Sequence, residues 1–321
     1  MRLSRRNLLV YLLSATALSA TPVRAQSTRP SVVATTGMIA DAAARVGGEA
    51  VEVRALMGPG VDPHSYRQTR TDILAAIQAD LVLWHGLYLE AQMEEFLLKL
   101  GDRATAVPVG ESVPREKRIA NEDYADKFDP HVWMVPDLWM YVVDGVRDAL
   151  TSVAPDRAEG FAANAAAYRA ELTALGEYAR TALASVPKPA RVLLSAHDAF
   201  GYFGASYGFE VIGIQGISTE SEAGLNRISA LVDMLVERGI GAVFVETSVS
   251  DRNVRALIEG AAARGHEVRI GGALFSDAMG EPGTYEGTYL GMIDHNATTI
   301  ARALGGDVPA RGMQGKLAAG S

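Results

Sequence analysis

The sequence predicts an α/β protein of two lobes, each with a mostly parallel sheet flanked by helices, the two joined by one long rigid backbone helix. Three observations carry this expectation. Short β-branched runs alternate with helical stretches in both halves of the chain, which is the signature of βαβ units. Between the halves, Phe161, Ala165, Tyr168, Leu172, Leu175, Ala179 and Leu183 step by three or four residues along one uninterrupted apolar stripe. The tripeptide Asp-Pro-His occurs twice, at 62–64 and 129–131, although the chain has only six histidines in 321 residues.

The elements follow in order. Val32–Thr36 reads as a strand, Met38–Val46 as a helix and Val51–Leu56 as a strand. The turn cluster Met57-Gly58-Pro59-Gly60 leads into the first Asp-Pro-His. Thr69–Ala79 has helical spacing, Asp80–Trp84 is a strand, Glu90–Leu100 a helix and Thr105–Val109 a strand. Glu111–Lys127 is polar and loop-like, and it delivers the second Asp-Pro-His. Pro136–Leu150 is helical. Pro155 stands where the long helix starts and Pro187 where it stops, so about thirty residues at ~1.5 Å each give a rod of roughly 45 Å. Then come a strand at Arg191–Ala196, a strand at Glu210–Gln215, a helix at Gly224–Arg238 and a strand at Ala242–Glu246. A helix at Asp251–Arg264 has Asp251 as candidate N-cap. A strand at Glu267–Ile270, a glycine-rich loop at Gly271–Tyr285 and a last helix at Gly287–Leu304 complete the chain, with a frayed tail after Gly305. The domains expected are a lobe at 26–150, the connecting helix at 151–188, a lobe at 189–306 and the tail at 307–321.

Composition narrows the function classes. Hydrophobic residues make up 48% and charged residues 21%, enough for a sizeable core. The formal charge of −8 includes +4 from four arginines in residues 1–25, which leaves −12 on the rest. An acidic body argues against nucleic acid as a partner. Cysteine is absent, which excludes disulfides, thiolate ligands and cysteine nucleophiles. Residues 1–25 read as an export signal: a basic start with Arg2, Arg5 and Arg6, an apolar run from Leu8 to Ala20 too short to span a bilayer, and a small-residue cleavage site at Val23-Arg24-Ala25. Ser4-Arg5-Arg6-Asn7-Leu8-Leu9 fits a twin-arginine signal and an ordinary secretory one equally. The expected location is periplasmic, with the signal removed and, because the absence of cysteine also excludes a lipid-modified cysteine at the mature N-terminus, no lipid anchor.

The chemistry gathers at element ends. Proline fixes its own φ and extends the residue before it, so each Asp-Pro-His is a rigid loop presenting an imidazole. The aspartate two residues upstream is placed to orient that ring. His64, His131 and His197 all fall where a strand or loop meets the next element, and Asp277 lies in a loop of the same kind. Ligands of open α/β sheets bind at the carboxyl ends of strands. Three imidazoles and one carboxylate suit zinc, manganese or iron rather than calcium or magnesium. His85 reads as structural or as a support for a ligand, His266 as solvent-facing, and His295 as packed or capping. Glu246 faces the cleft or pairs with Arg252. Trp133 and Phe200 flank candidate ligands and would exclude water.

Four motifs resemble one known family. Asp62-Pro63-His64-Ser65-Tyr66, Asp129-Pro130-His131-Val132-Trp133, Ala196-His197-Asp198-Ala199-Phe200-Gly201-Tyr202-Phe203 and Leu274-Phe275-Ser276-Asp277-Ala278-Met279-Gly280 are similar, in this order, to motifs of the solute-binding proteins of bacterial manganese and zinc ABC importers, the TroA-like subgroup above all. The resemblance spans about 31–305. It implies a protein that carries one divalent metal between two lobes to an ABC permease in the membrane, with His64, His131, His197 and Asp277 as ligands, and it implies no enzyme activity; a monomer is the default expectation. Zinc-dedicated members often carry a long histidine-rich loop, which Glu111–Lys127 is not. Manganese-dedicated members often have glutamate where His197 stands.

The alternative reading is a secreted zinc-dependent hydrolase, with three histidines on the metal and Glu246 as base. Asp277 would then fill the open position that a catalytic zinc needs. Gly204-Ala205-Ser206-Tyr207-Gly208 matches a bare G-x-S-x-G pattern, but that elbow needs a strand before it and a helix after it, and the order here reads as reversed in a turn. An adhesin or scaffold role has no sequence feature in its favour.

Overall fold

The computed structural model describes residues 29–101, 105–121 and 124–318. The export-signal expectation, at 1–25, lies outside the described residues. Strands β1 (Ser31–Ala34), β2 (Glu52–Ala55), β3 (Leu81–Trp84) and β4 (Ala106–Pro108) form one parallel sheet in the order β2-β1-β3-β4. The inner strands β1 and β3 are buried along Val32–Ala34 and Leu81–Trp84, as a parallel sheet covered on both faces requires. Helix α1 (Gly37–Gly47) is capped by Thr36, whose side chain accepts from Ile39 N. Helix α2 (Arg70–Gln78) opens on a reciprocal capping box between Thr69 and Asp72.

Helix α3 (Glu94–Gly101) starts four residues later than the expected Glu90. Glu90 has another task. Its carboxylate accepts from His85 N at 2.7 Å, Gly86 N at 3.2 Å and Thr35 Oγ1 at 2.7 Å. That clamp holds a left-handed run at Gly86, Leu87 and Tyr88, with φ of 77°, 54° and 70°, which a helix cannot contain.

Helix α4 (Pro136–Val153) and a 3-10 turn (Pro155–Arg157) precede the long helix α5 (Ala158–Ala184). All seven stripe residues of α5 are buried. The rod is 27 residues, hence about 40 Å. Beyond it, β5 (Val192–Ser195) pairs in parallel with β6 (Glu210–Gly213), and β7 (Ala242–Glu246) with β8 (Arg269–Leu274). Helices α6 (Gly201–Tyr207), α7 (Leu225–Arg238), α8 (Arg252–Ala262) and α9 (Tyr289–Ala303) complete the second lobe. Helix α5 packs on α4 on one side and α9 on the other, so it is shared by both lobes. None of the helices among the described residues is long and apolar enough to cross a membrane.

Several expectations are corrected. Gly204–Gly208 is not a turn: Ser206 lies inside α6, which ends at Tyr207 with Gly208 as its left-handed C-cap at φ of 71°, so no nucleophile elbow exists there. Asp251 sits at the start of α8 without capping it, because its carboxylate is held by Arg255. The strand expected to stop at Ile270 continues to Leu274, through the first glycines of the supposed loop. Those glycines let α9 lie on the strand, since a Cβ on Gly272 would stand 2.4 Å from Thr299 and one on Gly271 2.8 Å from Phe244. The tail is packed rather than frayed as far as Ala318: Leu317 is buried, and Met313 N donates to Asp294.

Candidate metal centre

The four candidate ligands sit at element ends, as open α/β sheets favour. His64 is in the turn after β2, His131 opens the 3-10 turn Val132–Met134, and His197 and Asp277 follow β5 and β8. The structure brings them to one point. Their nearest ligand atoms all lie within 4.8 Å of one another. His131 Nε2 stands 3.2 Å from His64 Nε2 and 3.4 Å from His197 Nε2. Asp277 faces His131 at 3.4 Å through Oδ1 and His197 at 3.3 Å through Oδ2. All four side chains are buried, with no residue more than 3% exposed.

These spacings fit a metal ion. Ligand atoms ~2.1 Å from one tetrahedral ion lie roughly 3.4 Å from each other. The donor chemistry agrees. His131 donates from Nδ1 to Asp129 Oδ1 at 2.7 Å, and His197 from Nδ1 to Glu246 Oε2 at 2.5 Å. With its ring neutral, each imidazole spends its one N–H on that carboxylate, which leaves Nε2 a lone pair to offer a metal at the centre. Asp277 Oδ1 is buried there with no hydrogen-bond donor. Three imidazoles facing a buried carboxylate call for positive charge among them, supplied by protonated rings or by a metal ion that replaces those protons.

The titration pattern states the same demand. Burial disfavours protonation of every imidazole in the site. At His64 burial wins and pulls the pKa down to about 3. At His131 the carboxylates of Asp129 and Asp277 outweigh burial and hold it up at about 9. Asp277 and Glu246 likewise raise His197 well above its ordinary value. Burial works against the Asp277 carboxylate, but His197 and His131 hold its pKa well below the usual range.

The two Asp-Pro-His loops differ. Asp129 orients its imidazole as expected. Asp62 does not: its Oδ1 accepts the backbone N–H of His64 at 2.9 Å, and among the described residues no carboxylate braces the His64 ring. Glu246 neither meets Arg252, which pairs with Glu222, nor takes a ligand position. It holds His197 by ring and backbone. His85 binds the Pro130 carbonyl at 2.7 Å and stacks edge-on against Trp133, so it supports the His131 loop from outside the cluster. His266 is half-buried on the Ile240 carbonyl rather than free in solvent, and His295 packs under β8 on the Ala273 carbonyl. Trp133 and Phe200 are fully buried, Trp133 edge-on against the His131 ring and Phe200 against Phe203. Sequence reasoning missed Ser248, which lies 3.2 Å from Asp277 Oδ2 and 2.8 Å from the Ser276 hydroxyl. A serine two residues past a strand gives no signal of its own.

Comparison with known proteins agrees with this geometry. The family model for ZnuA, the zinc-uptake complex component A, periplasmic, matches residues 32–303. The chain is 48% identical over 273 residues to the manganese-binding lipoprotein MntA of Bacillus subtilis, covering 85% of this chain and 89% of that one. It is 46% identical over 276 residues to the zinc-binding protein TroA of Treponema pallidum, covering 86% and 89%. The solved structure of that periplasmic zinc-binding protein superposes with a TM-score of 0.84 at 45% identity, over 86% of this chain and 99% of the other. The iron-binding protein YfeA of Yersinia pestis is 31% identical over 275 residues, covering 85% and 86%.

These relatives overturn one expectation. The Bacillus subtilis protein is named a lipoprotein, and so are more distant relatives. A periplasmic protein without a lipid anchor is therefore withdrawn as a reading. It rested on the lack of cysteine, which speaks to one chemistry of attachment and not to where or how a protein is held. The match along 32–303, together with relatives near half identity over most of both chains, shows that this chain belongs to the ZnuA family of periplasmic zinc-uptake components.

Proposed function

We propose that this protein captures one divalent transition-metal ion, manganese or zinc, between its two lobes and hands it to the membrane permease of an ABC importer. His64, His131, His197 and Asp277 are the ligands in this reading. The observation that carries it is the convergence of three imidazole Nε2 atoms and an undonated carboxylate oxygen on one buried point. The relatives are named manganese-binding, zinc-binding and iron-binding, which supports the same ion class.

The hydrolase reading has no support in the site. A catalytic zinc keeps one position for water and a base that reaches it. Here Asp277 takes the fourth position, and both Glu246 oxygens are spent on His197. The family is described as a zinc-uptake complex component, which supports a transport role.

Elemental analysis of protein purified from its native cell, with manganese and zinc competition on demetallated protein, tests the reading. One equivalent of metal, lost in His131→Ala, is the expected result. Zinc will outcompete manganese at nearly any such donor set, so the metal found in the native protein, not the tighter one in vitro, names the cargo. No bound metal and no affinity below millimolar would sink the reading.

A further inference from the structure

Two sets of hydrogen bonds tie the two lobes together next to the candidate ligands, and they differ in kind. One seam is deeply buried. Trp133, two residues after His131, donates its indole N–H to the carbonyl of Ser276, the neighbour of Asp277, at 2.7 Å. Tyr289 donates to the Trp133 carbonyl at 2.8 Å, and Tyr202 to the Asp129 carbonyl at 2.9 Å. This seam fixes the His131 and Asp277 loops to each other, and Glu246 fixes His197 within the second lobe.

The other tie runs along a half-exposed rim. Thr219, between β6 and α7, donates its hydroxyl to Asp62 Oδ2 at 2.5 Å. The neighbouring Glu220 accepts from Gln92 of the first lobe. The same Asp62 carboxylate takes the backbone N–H of His64 at 2.9 Å and the hydroxyl of Ser65 at 2.8 Å. One side chain thus carries the turn that presents His64 and the second lobe's grip on that turn. The turn follows Gly58-Pro59-Gly60, with Gly60 at φ of 68°, so its other attachment is a short glycine-flanked connection.

We propose that Thr219 is a positioning residue for His64: through Asp62 it fastens the fourth ligand over an ion already held by His131, His197 and Asp277. The inference rests on the metal-capture reading and deepens it. Capture then has two steps. The ion first meets a three-ligand half-site that the buried seam keeps assembled, and the His64 turn then closes on it and is latched across the rim. Release reverses the order, beginning at the Thr219–Asp62 bond. A hydrogen bond to a carboxylate at a half-exposed site should slow release by about tenfold.

The test is release of preloaded manganese or zinc into excess chelator, followed by stopped flow. Thr219→Val is expected to release metal about tenfold faster at unchanged stoichiometry, and Thr219→Ser, which keeps the hydroxyl, within about twofold of wild type. His64→Ala should still bind one ion, more weakly, and adding Thr219→Val to it should change nothing further, because the latch acts through His64. An unchanged rate in Thr219→Val would overturn the proposal. So would equal acceleration with and without His64, or a His64→Ala protein that holds no ion while wild type does. Absence of binding in wild type as well would overturn the metal-capture reading itself, and this inference with it.

Discussion

Glu246 grips His197 twice, accepting its backbone N–H at 2.9 Å and its ring Nδ1–H at 2.5 Å. The carboxylate closes an apolar strand, β7, and lies in the adjacent strand pair to His197, so a neighbouring strand aims the candidate ligand. It fixes the tautomer and strengthens Nε2 as a donor to metal.

Glu246→Gln should therefore keep one metal per protein and bind it about 10–100-fold more weakly, the usual cost of losing such a support. Chelator competition with manganese and zinc reads the affinity. An unchanged affinity would show that the bond is incidental to the centre.

Trp133→Phe removes the buried bond to the Ser276 carbonyl and leaves that oxygen without a donor. Urea denaturation should show a loss of about 1–3 kcal/mol, the range for an unsatisfied buried acceptor. Metal stoichiometry should stay at one, since no ligand is removed.

Metal removal should lower stability without opening the molecule widely. An ion at a free concentration of 100 times its Kd adds about 2.7 kcal/mol, so the melting temperature should fall when the ion is stripped by chelator and recover when it is restored. Small-angle scattering of the two forms should nearly superpose, because α5 is a stiff 27-residue rod shared by both lobes and the Trp133–Ser276 seam does not involve the ion. Clearly different profiles would count against a rigid frame.

Asp41→Asn should stabilise the protein at neutral pH. Asp41 lines a mostly apolar cavity of about 300 Å³ that Asp277 also lines. One carboxylate oxygen accepts from Tyr168 Oη at 3.0 Å and Tyr289 N at 3.4 Å, bonds that an amide oxygen can also accept. Burial raises the Asp41 pKa, although the bond from Tyr168 works against the rise. The unfolded chain ionises this group near pH ~4 while the folded chain resists. Stability is therefore lost as pH rises through the raised native pKa, and the cost is fully present above it. The variant's advantage should appear at pH 7 and vanish below about pH 4 in thermal denaturation.

The sequence by itself determined the class of fold, the long helix and the set of candidate ligands. Those features are local or periodic: the α5 stripe repeats with the helix, the β-branched runs of β1 and β3 announce buried parallel strands, and Asp-Pro-His is a rigid unit wherever it stands. What it misjudged depended on partners distant in the chain. Glu90 looked like helix and is a clamp for His85, Gly86 and Thr35. The glycines at 271–272 looked like loop and are strand, because α9 lies against them. Helix α9 itself carries Asp294, His295, Asn296, Thr298 and Thr299 in buried positions, which no apolar stripe could announce. Only the tertiary structure decided that Asp129 braces an imidazole as well as its backbone N–H while Asp62 braces the backbone N–H alone, and that Glu246 serves His197 across 49 residues. A carboxylate's role is set by which donors the fold brings within about 3 Å, and that distance is a property of packing that no spacing along the chain contains.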